Sequence, residues 1–270
     1  MELEQVRHAL VTGGASGIGL GIVNAFTERG IPVTVADIVQ ERLNEQFADR
    51  TDSILPIRLD TRDRDGWARA KQEAESRFGP VDVLVNNAGI GPDGHEIADM
   101  APASFDMTIA INLIAVFNGI HAFVNDMKER RSGHIVNTAS MNGVIAGMAR
   151  YGAYAAAKHG VVGLSEALRE ELEPFGVGVS VLCPGPVLSN MPETSRLLGN
   201  DAPAQRWPDG TVGMEPIFAG RIVLRSIELN LGHILTHPDY YPAIGHRMEV
   251  IREASEIEQA EWPKLEGWPD

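Results

Sequence analysis

Residues 12–19, "TGGASGIG", end one kind of pattern and begin another. Before them, "HALVTGG" (8–14) reads as a short apolar strand; after them, 17–29 carries apolar residues at helical spacing. A glycine-rich turn between strand and helix presents free backbone amides to an anion. The glycines divide the task. Gly13 permits a tight turn, Gly17 lets the backbone approach a pyrophosphate, and Gly19 lets the helix lie close to the strand. Ser16 and Ile18 belong to the same turn and are counted with them as cofactor-contacting. The spacing Gly13-x-x-x-Gly17-x-Gly19 carries one more residue than the G-x-G-x-x-G form, and no Gly-Lys-Ser/Thr follows. A nucleoside triphosphate loop is therefore set aside.

Working outward, further Val/Ile/Leu-rich runs recur: "IPVTVADI" (31–38), "DSILPIRLD" (52–60), "VDVLVNNAG" (81–89), "GHIVNTAS" (133–140), "VGVSVLCPG" (177–185) and "LGHILTHP" (231–238). They are nearly continuous in apolar residues, as strands covered on both faces are. Helical periodicity fills 63–78, 102–130, 150–174 and 215–229 between them. The alternation predicts an α/β fold, a doubly wound parallel sheet of about seven strands with helices on both faces. The chemistry then belongs at the carboxyl edge of the sheet, where each strand runs into a polar or Gly-rich turn.

The totals agree with this and add limits. No linker, charge block or repeat divides the 270 residues, so a single domain over 1–270 is expected. One cysteine, Cys183, permits no intrachain disulfide, suits a reducing cytoplasm and reads as a small buried hydrophobe. The N-terminus "MELEQVRHALVTGG" has the character of neither a signal nor a transit peptide, and no apolar run is read as approaching the roughly 20 residues of a membrane span. A net charge of −14 argues against nucleic acid and anionic membrane as partners.

Asp37 ends the second strand, 18 residues beyond Gly19. An acid there accepts the ribose hydroxyls of an adenosine and repels a 2′-phosphate. No Lys or Arg lies among residues 13–19, and Arg42 stands a helical turn beyond the acid, so NAD is favoured over NADP.

"TGGASGIG", "NNAG" (86–89), Ser140, "YAAAK" (154–158) and "PG" (184–185) occur in that order, each at a strand end or on the helix after it. In this the chain, from residue 8 to about 190, resembles the short-chain dehydrogenase/reductase family. The resemblance implies a Rossmann-type domain and a homodimer or homotetramer. It implies that Asp60 fixes the adenine with Thr61 beside it. It places Asn86, Ala88 and Gly89 near the cofactor, where they stiffen the central strand. Val187 would touch the nicotinamide carboxamide, as would Ser189, which stands where the family usually has a threonine.

Tyr154 and Lys158 are four apart on an Ala-rich helix and share a face. A ketone accepting a hydride needs a proton donor and an alcohol losing one needs a base, yet a phenol with pKa about 10 is a poor base at neutral pH. An ammonium about 4 Å away offers roughly 4 kcal/mol at an effective dielectric near 20, before desolvation is subtracted. The pair is thus expected to be a tuned acid/base, with Tyr151 lining the substrate pocket or packing. Ser140 can donate to the substrate oxygen without ionising. The resemblance adds that Lys158 binds the nicotinamide ribose, and that Asn112 holds a water linking Lys158 to solvent; by itself Asn112 reads equally as a helix-bending hydrogen bond.

The expected activity is NAD-dependent hydride exchange with a secondary alcohol or ketone. The alternatives are a non-catalytic nucleotide sensor or scaffold, which would be expected to lose Tyr or Lys, and an NADP-dependent carbonyl reductase. The histidines are scattered, and no metal site is expected. Met141, Val144, Ile145, Met148 and Tyr151 follow the serine, and Leu188, Met191, Leu197 and Leu198 follow the Pro-Gly turn. Both segments should flank Tyr154, with a substrate loop over about 187–213, giving a broad apolar pocket for a bulky small-molecule substrate. The alternative is that these residues pack on one another and leave a small site. The C-terminal extension, about 238–270, includes "LTHPDYYPAIGHRMEVI" (235–251). That run resembles the tail of a subgroup acting on benzylic alcohols of lignin-derived aryl ethers.

Overall fold

Side chains of Leu10 and Ile135 enter one core, while Ala9, Val11 and Val136 enter another. Successive residues of a strand point to opposite faces, so a strand apolar at both parities must be covered on both sides. The computed structural model describes residues 1–50, 52–145, 147–200 and 212–261, with side chains to 257. Its strands are β1 (Ala9–Thr12), β2 (Val33–Asp37), β3 (Ile54–Arg58), β4 (Val83–Asn86), β5 (His134–Thr138), β6 (Gly178–Cys183) and β7 (His233–Leu235). They form one parallel sheet in the order β3-β2-β1-β4-β5-β6-β7. This is the expected doubly wound α/β fold of seven strands.

The principal helices are α1 (Gly17–Glu28), α2 (Gln40–Phe47), α3 (Arg64–Phe78), α4 (Pro102–Ile109), α5 (Ala115–Arg130), α6 (Gly152–Leu172), α7 (Met191–Leu197), α8 (Pro216–Glu228) and α9 (Tyr241–Glu261). One core takes Phe26 of α1, Leu43 and Phe47 of α2, and Val223 and Ile227 of α8. The other takes Trp67 of α3, Phe123 of α5, and Val161 and Leu168 of α6. Three helices were not anticipated. α2 has only two core residues, α7 lies inside the stretch read as a loop, and most of α9 is exposed and lacks an apolar face.

The helical spacing over 102–130 predicts one helix. A π-helical turn at Ala110–Ile114 separates α4 from α5, with the amide of Ala115 bonded to the carbonyl of Ala110. Taken together, Pro102–Arg130 is long and apolar enough to cross a membrane by length and composition, contrary to the sequence reading. Thr108, Asn112 and Asn118 interrupt the run without adding charge, which is why it escapes notice as an apolar run. Half of its apolar window is buried in the protein, as in a core helix.

Two glycines set the crossing of α1 and α8. A Cβ on Gly21 would stand 2.0 Å from the Pro216 carbonyl oxygen, and one on Gly220 would stand 2.2 Å from that of Gly21. Backbone meets backbone, so neither side can yield by turning a side chain. Gly21→Ala is expected to destabilise the protein by at least about 2 kcal/mol. Gly163→Ala, mid-helix with open space around the added methyl, should instead stabilise it by up to about 1 kcal/mol. Thermal unfolding of the two variants reads the contrast; equal shifts would refute the close crossing.

Candidate active site

The groove lies where the strand order reverses, between the carboxyl ends of β1 and β4. Gly13 and Gly17 both have left-handed backbone, at φ +60° and +51°. A Cβ on Gly19 would be 2.1 Å from the Gly13 carbonyl oxygen, so its bareness lets the helix start close on the turn. Ser16 caps α1 without a side-chain hydrogen bond to it, and Ser16, Gly17 and Ile18 line the groove. Ser189 stands over Gly17, where a Cβ would come within 2.8 Å of it.

The Thr12 hydroxyl accepts from the amides of Asn87 (2.9 Å) and Ala88 (3.0 Å), fastening the turn to the end of β4. Asn86 points into the protein and off the groove wall. It donates to Asn137 (2.9 Å), which donates to Ser165 (3.0 Å) on α6. It is a strand-stiffening residue; its neighbour Asn87, not singled out from sequence, lines the groove with Ala88 and Gly89. Asn112, in the π turn and fully buried, accepts from the amide of Ile90 and donates to its carbonyl, both at 3.0 Å. A Cβ on Gly89 would lie 2.7 Å from the Asn112 side-chain oxygen and 3.5 Å from Lys158 Nζ. The π turn thus brings Asn112 and Lys158 to one place beneath β4.

At the adenosine end, Asp37 is 6% exposed, and its two carboxylate oxygens accept from the amides of Ala15 and Val39, both at 3.1 Å. Each oxygen keeps acceptor capacity for a ribose hydroxyl. Asp60 and Thr61 border the same groove. Arg62 forks onto Asp60, with Nη2 at 2.6 Å and Nε at 2.9 Å, and holds its carboxyl below the usual range. The Thr61 carbonyl accepts from the indole of Trp67 (3.0 Å) and from Asn118 (3.2 Å). Left-handed glycines, a bare helix start and an acid with spare lone pairs together fit a dinucleotide.

The other end gathers Ser140, Tyr154 and Lys158, from the end of β5 and the first turns of α6. Ser140 accepts from the amide of Asn142 (3.2 Å) and shares a hydrogen bond with the Tyr154 hydroxyl. Lys158 Nζ donates to the Thr138 carbonyl at 2.9 Å, is 3% exposed, and has two further N–H groups for an acceptor in the groove. It lies 5.7 Å from the centre of the Tyr154 ring. The expected lowering of the phenol by a close ammonium is not what dominates. Burial pushes Tyr154 up, with the Ser140 bond opposing, and burial pulls Lys158 down to about 8. Cys183 is buried as read, its thiol pushed up to about 12 by that burial.

Beyond these groups the wall is apolar. Met141, Ile145, Met148, Tyr151, Met191 and Leu198 line it as expected, and Tyr151 meets Tyr154 edge to face at 6.2 Å. Val144 packs into the core, while Leu188 and Leu197 turn outward, 40% and 65% exposed. Tyr240, from the short helical turn after β7, joins the wall unforeseen. Val187 lines the groove and pairs with Met214, closing the base of the substrate loop, of which 201–211 lie outside the described residues. The whole groove encloses about 560 Å³.

This geometry has counterparts in known proteins. The sequence profile of the short chain dehydrogenase family matches residues 7–197. A C alpha-dehydrogenase of Sphingobium sp. (strain SYK-6) is 34% identical over 263 residues, 90% of this chain and 84% of its own length. The LigO apo form from the same organism superposes with a TM-score of 0.79 at 31% identity, over 100% of both chains. A short-chain dehydrogenase/reductase of Burkholderia phymatum, solved in complex with NAD, gives 0.84 at 25% identity, over 94% of this chain and 97% of its own. With the groove at the switch point and Ser140, Tyr154 and Lys158 at one end of it, the chain belongs to the short-chain dehydrogenase/reductase family, oxidoreductases acting on CH–OH groups.

Proposed function

We propose that the protein exchanges a hydride between NAD and a bulky, largely apolar secondary alcohol or ketone, an aromatic one fitting best. The convergence of Ser140, Tyr154 and Lys158 on one end of a dinucleotide-shaped groove carries this reading. The nicotinamide supplies the hydride acceptor or donor when bound. Ser140 donates to the substrate oxygen; Tyr154 gives its phenol proton to the developing alkoxide in reduction and, as the phenolate, takes the hydroxyl proton in oxidation. Lys158 offers its free N–H groups to the ribose, and Asn112 holds Ile90 and the π turn in place. Asp37 supports NAD, since a 2′-phosphate beside it would meet like charge. Asp60, Thr61, Val187 and Ser189 complete the cofactor contacts.

The apolar lining supports the substrate class. Three methionines and two tyrosines adapt to a large ring more readily than they satisfy the hydroxyls of a polyol. A cytoplasmic homodimer or homotetramer is the expected setting, and the partly exposed Phe105, Ile114 and Phe117 suit self-association.

Tyr154→Phe removes only the hydroxyl, so folding and NAD binding should survive while turnover falls at least about a hundredfold. Tyr151→Phe should do much less; equal losses would sink the assignment. Steady-state kinetics of a benzylic aryl alkyl carbinol against a linear polyol, with NAD, tests the pocket. A higher kcat/KM for the polyol would overturn the substrate class alone.

Burial also makes Lys158 a measurable burden. Its folded value, about 8, lies below its ordinary 10.5, so the charged form opposes folding. The full penalty, about 3 kcal/mol, is present below pH 8 and fades as the pH rises toward 10.5. Lys158→Met should therefore abolish turnover yet raise the melting temperature at pH 7, with the gain shrinking by pH 10. A gain independent of pH would contradict the buried charge.

A further inference from the structure

Arg42 stands in the first turn of α2, five residues beyond Asp37, and lines the groove beside Asp37 and Ile38. An arginine in that neighbourhood is the group that accommodates a 2′-phosphate. Here its guanidinium is turned toward α7. Nη1 donates to the Thr194 hydroxyl at 2.7 Å, and Nη2 lies 3.1 Å from the Glu193 carboxylate, its side chain 13% exposed. The Nη2 contact is an ion pair without hydrogen-bond alignment, so Glu193 holds by charge and Thr194 by direction. Both partners are braced from within the segment that follows β6. Thr194 donates to the Asn190 carbonyl (3.2 Å), and Asn190 donates to Glu193 (3.3 Å). On its other side α7 is anchored through Ser195, which accepts from the amide of Gly91 at 2.9 Å. Arg62, the other arginine lining the groove at this end, is committed to Asp60, and the exposed Arg58 beside them donates to the Ile38 carbonyl at 3.5 Å.

We propose that Glu193 and Thr194 are specificity-determining residues for NAD: they withhold the Arg42 guanidinium from the ribose 2′ position. The inference rests on the reading of Asp37 as the ribose acid. It adds a second component to the selectivity, carried by the substrate loop, more than 150 residues away in sequence. Asp37 repels the 2′-phosphate, and α7 removes the cation that would otherwise compensate. Glu193 and Thr194 act through Arg42 and so are positioning residues.

The test is direct binding, by isothermal titration of NAD and NADP into wild type, Glu193→Ala/Thr194→Val, and the same double variant carrying Arg42→Ala. Wild type should bind NAD more tightly. The double variant should tighten NADP about tenfold while NAD moves by less than about threefold, and the gain should weaken with added salt. Arg42→Ala should erase the gain, whereas Glu193→Gln alone, which removes only the charge, should produce part of it. Unchanged affinity for NADP in a folded double variant would overturn the proposal. So would a gain that survives Arg42→Ala, or equal losses for both dinucleotides. A wild type that prefers NADP would instead refute the Asp37 reading itself, before any variant is compared.

Discussion

One hydroxyl holds the crevice in which everything else is arranged. Thr12 Oγ donates to the Val85 carbonyl (3.4 Å) and accepts from the amides of Asn87 and Ala88. It sits where β1 and β4, neighbours in the sheet, send their following chain to opposite faces. Backbone pairing joins the two strands as far as Val11 and Val85, and beyond it this hydroxyl, with Asn87 Nδ2 on the Thr12 carbonyl, sets the distance of the glycine turn from the Asn87–Gly89 segment. Buried polar groups must find partners, and here that requirement sets the geometry of the site. Gly13 shows the consequence: a Cβ there would lie 3.0 Å from the Ala88 backbone.

The reacting end obeys a different constraint. Ser140, Tyr154 and Lys158 are all nearly sealed from water, and burial opposes charge on both the phenol and the ammonium. Neutral phenol and readily deprotonated lysine are the forms favoured by the protein alone. The Ser140 bond works against burial at Tyr154, so the serine both orients the phenol and tempers its proton affinity. An acid/base group poised this way sits at a cost to folding, as functional sites commonly do.

Much of this was legible in the order of residues. Two-faced apolar strands and helical spacing implied the doubly wound sheet, and Tyr154, Lys158, Ser140 and Asp37 announced themselves by type and position. What escaped notice depends on contacts between distant segments. Thr12 and Asn87 read as ordinary strand-end residues, and Tyr240 joins the pocket only because β7 lies beside β6. The π turn is invisible to periodicity, because one extra residue in a helix flanked by apolar residues leaves the pattern intact. The direction in which burial moves Tyr154 is hidden for a related reason: spacing places Lys158 one turn away but cannot say that its ammonium turns to the Thr138 carbonyl.

The bare crossing of α1 on α8 ties the opening third of the chain to its closing fifth. During synthesis α1 emerges with one flank of apolar side chains uncovered, and its partner α8 follows only after β2 to β6 have been made. β1 likewise waits for β4, its second neighbour in the sheet. Parallel pairing of this kind joins segments far apart in sequence and closes slowly. Until then the core that will hold Ile22 and Phe26 is incomplete, and those side chains are open to contact with other chains.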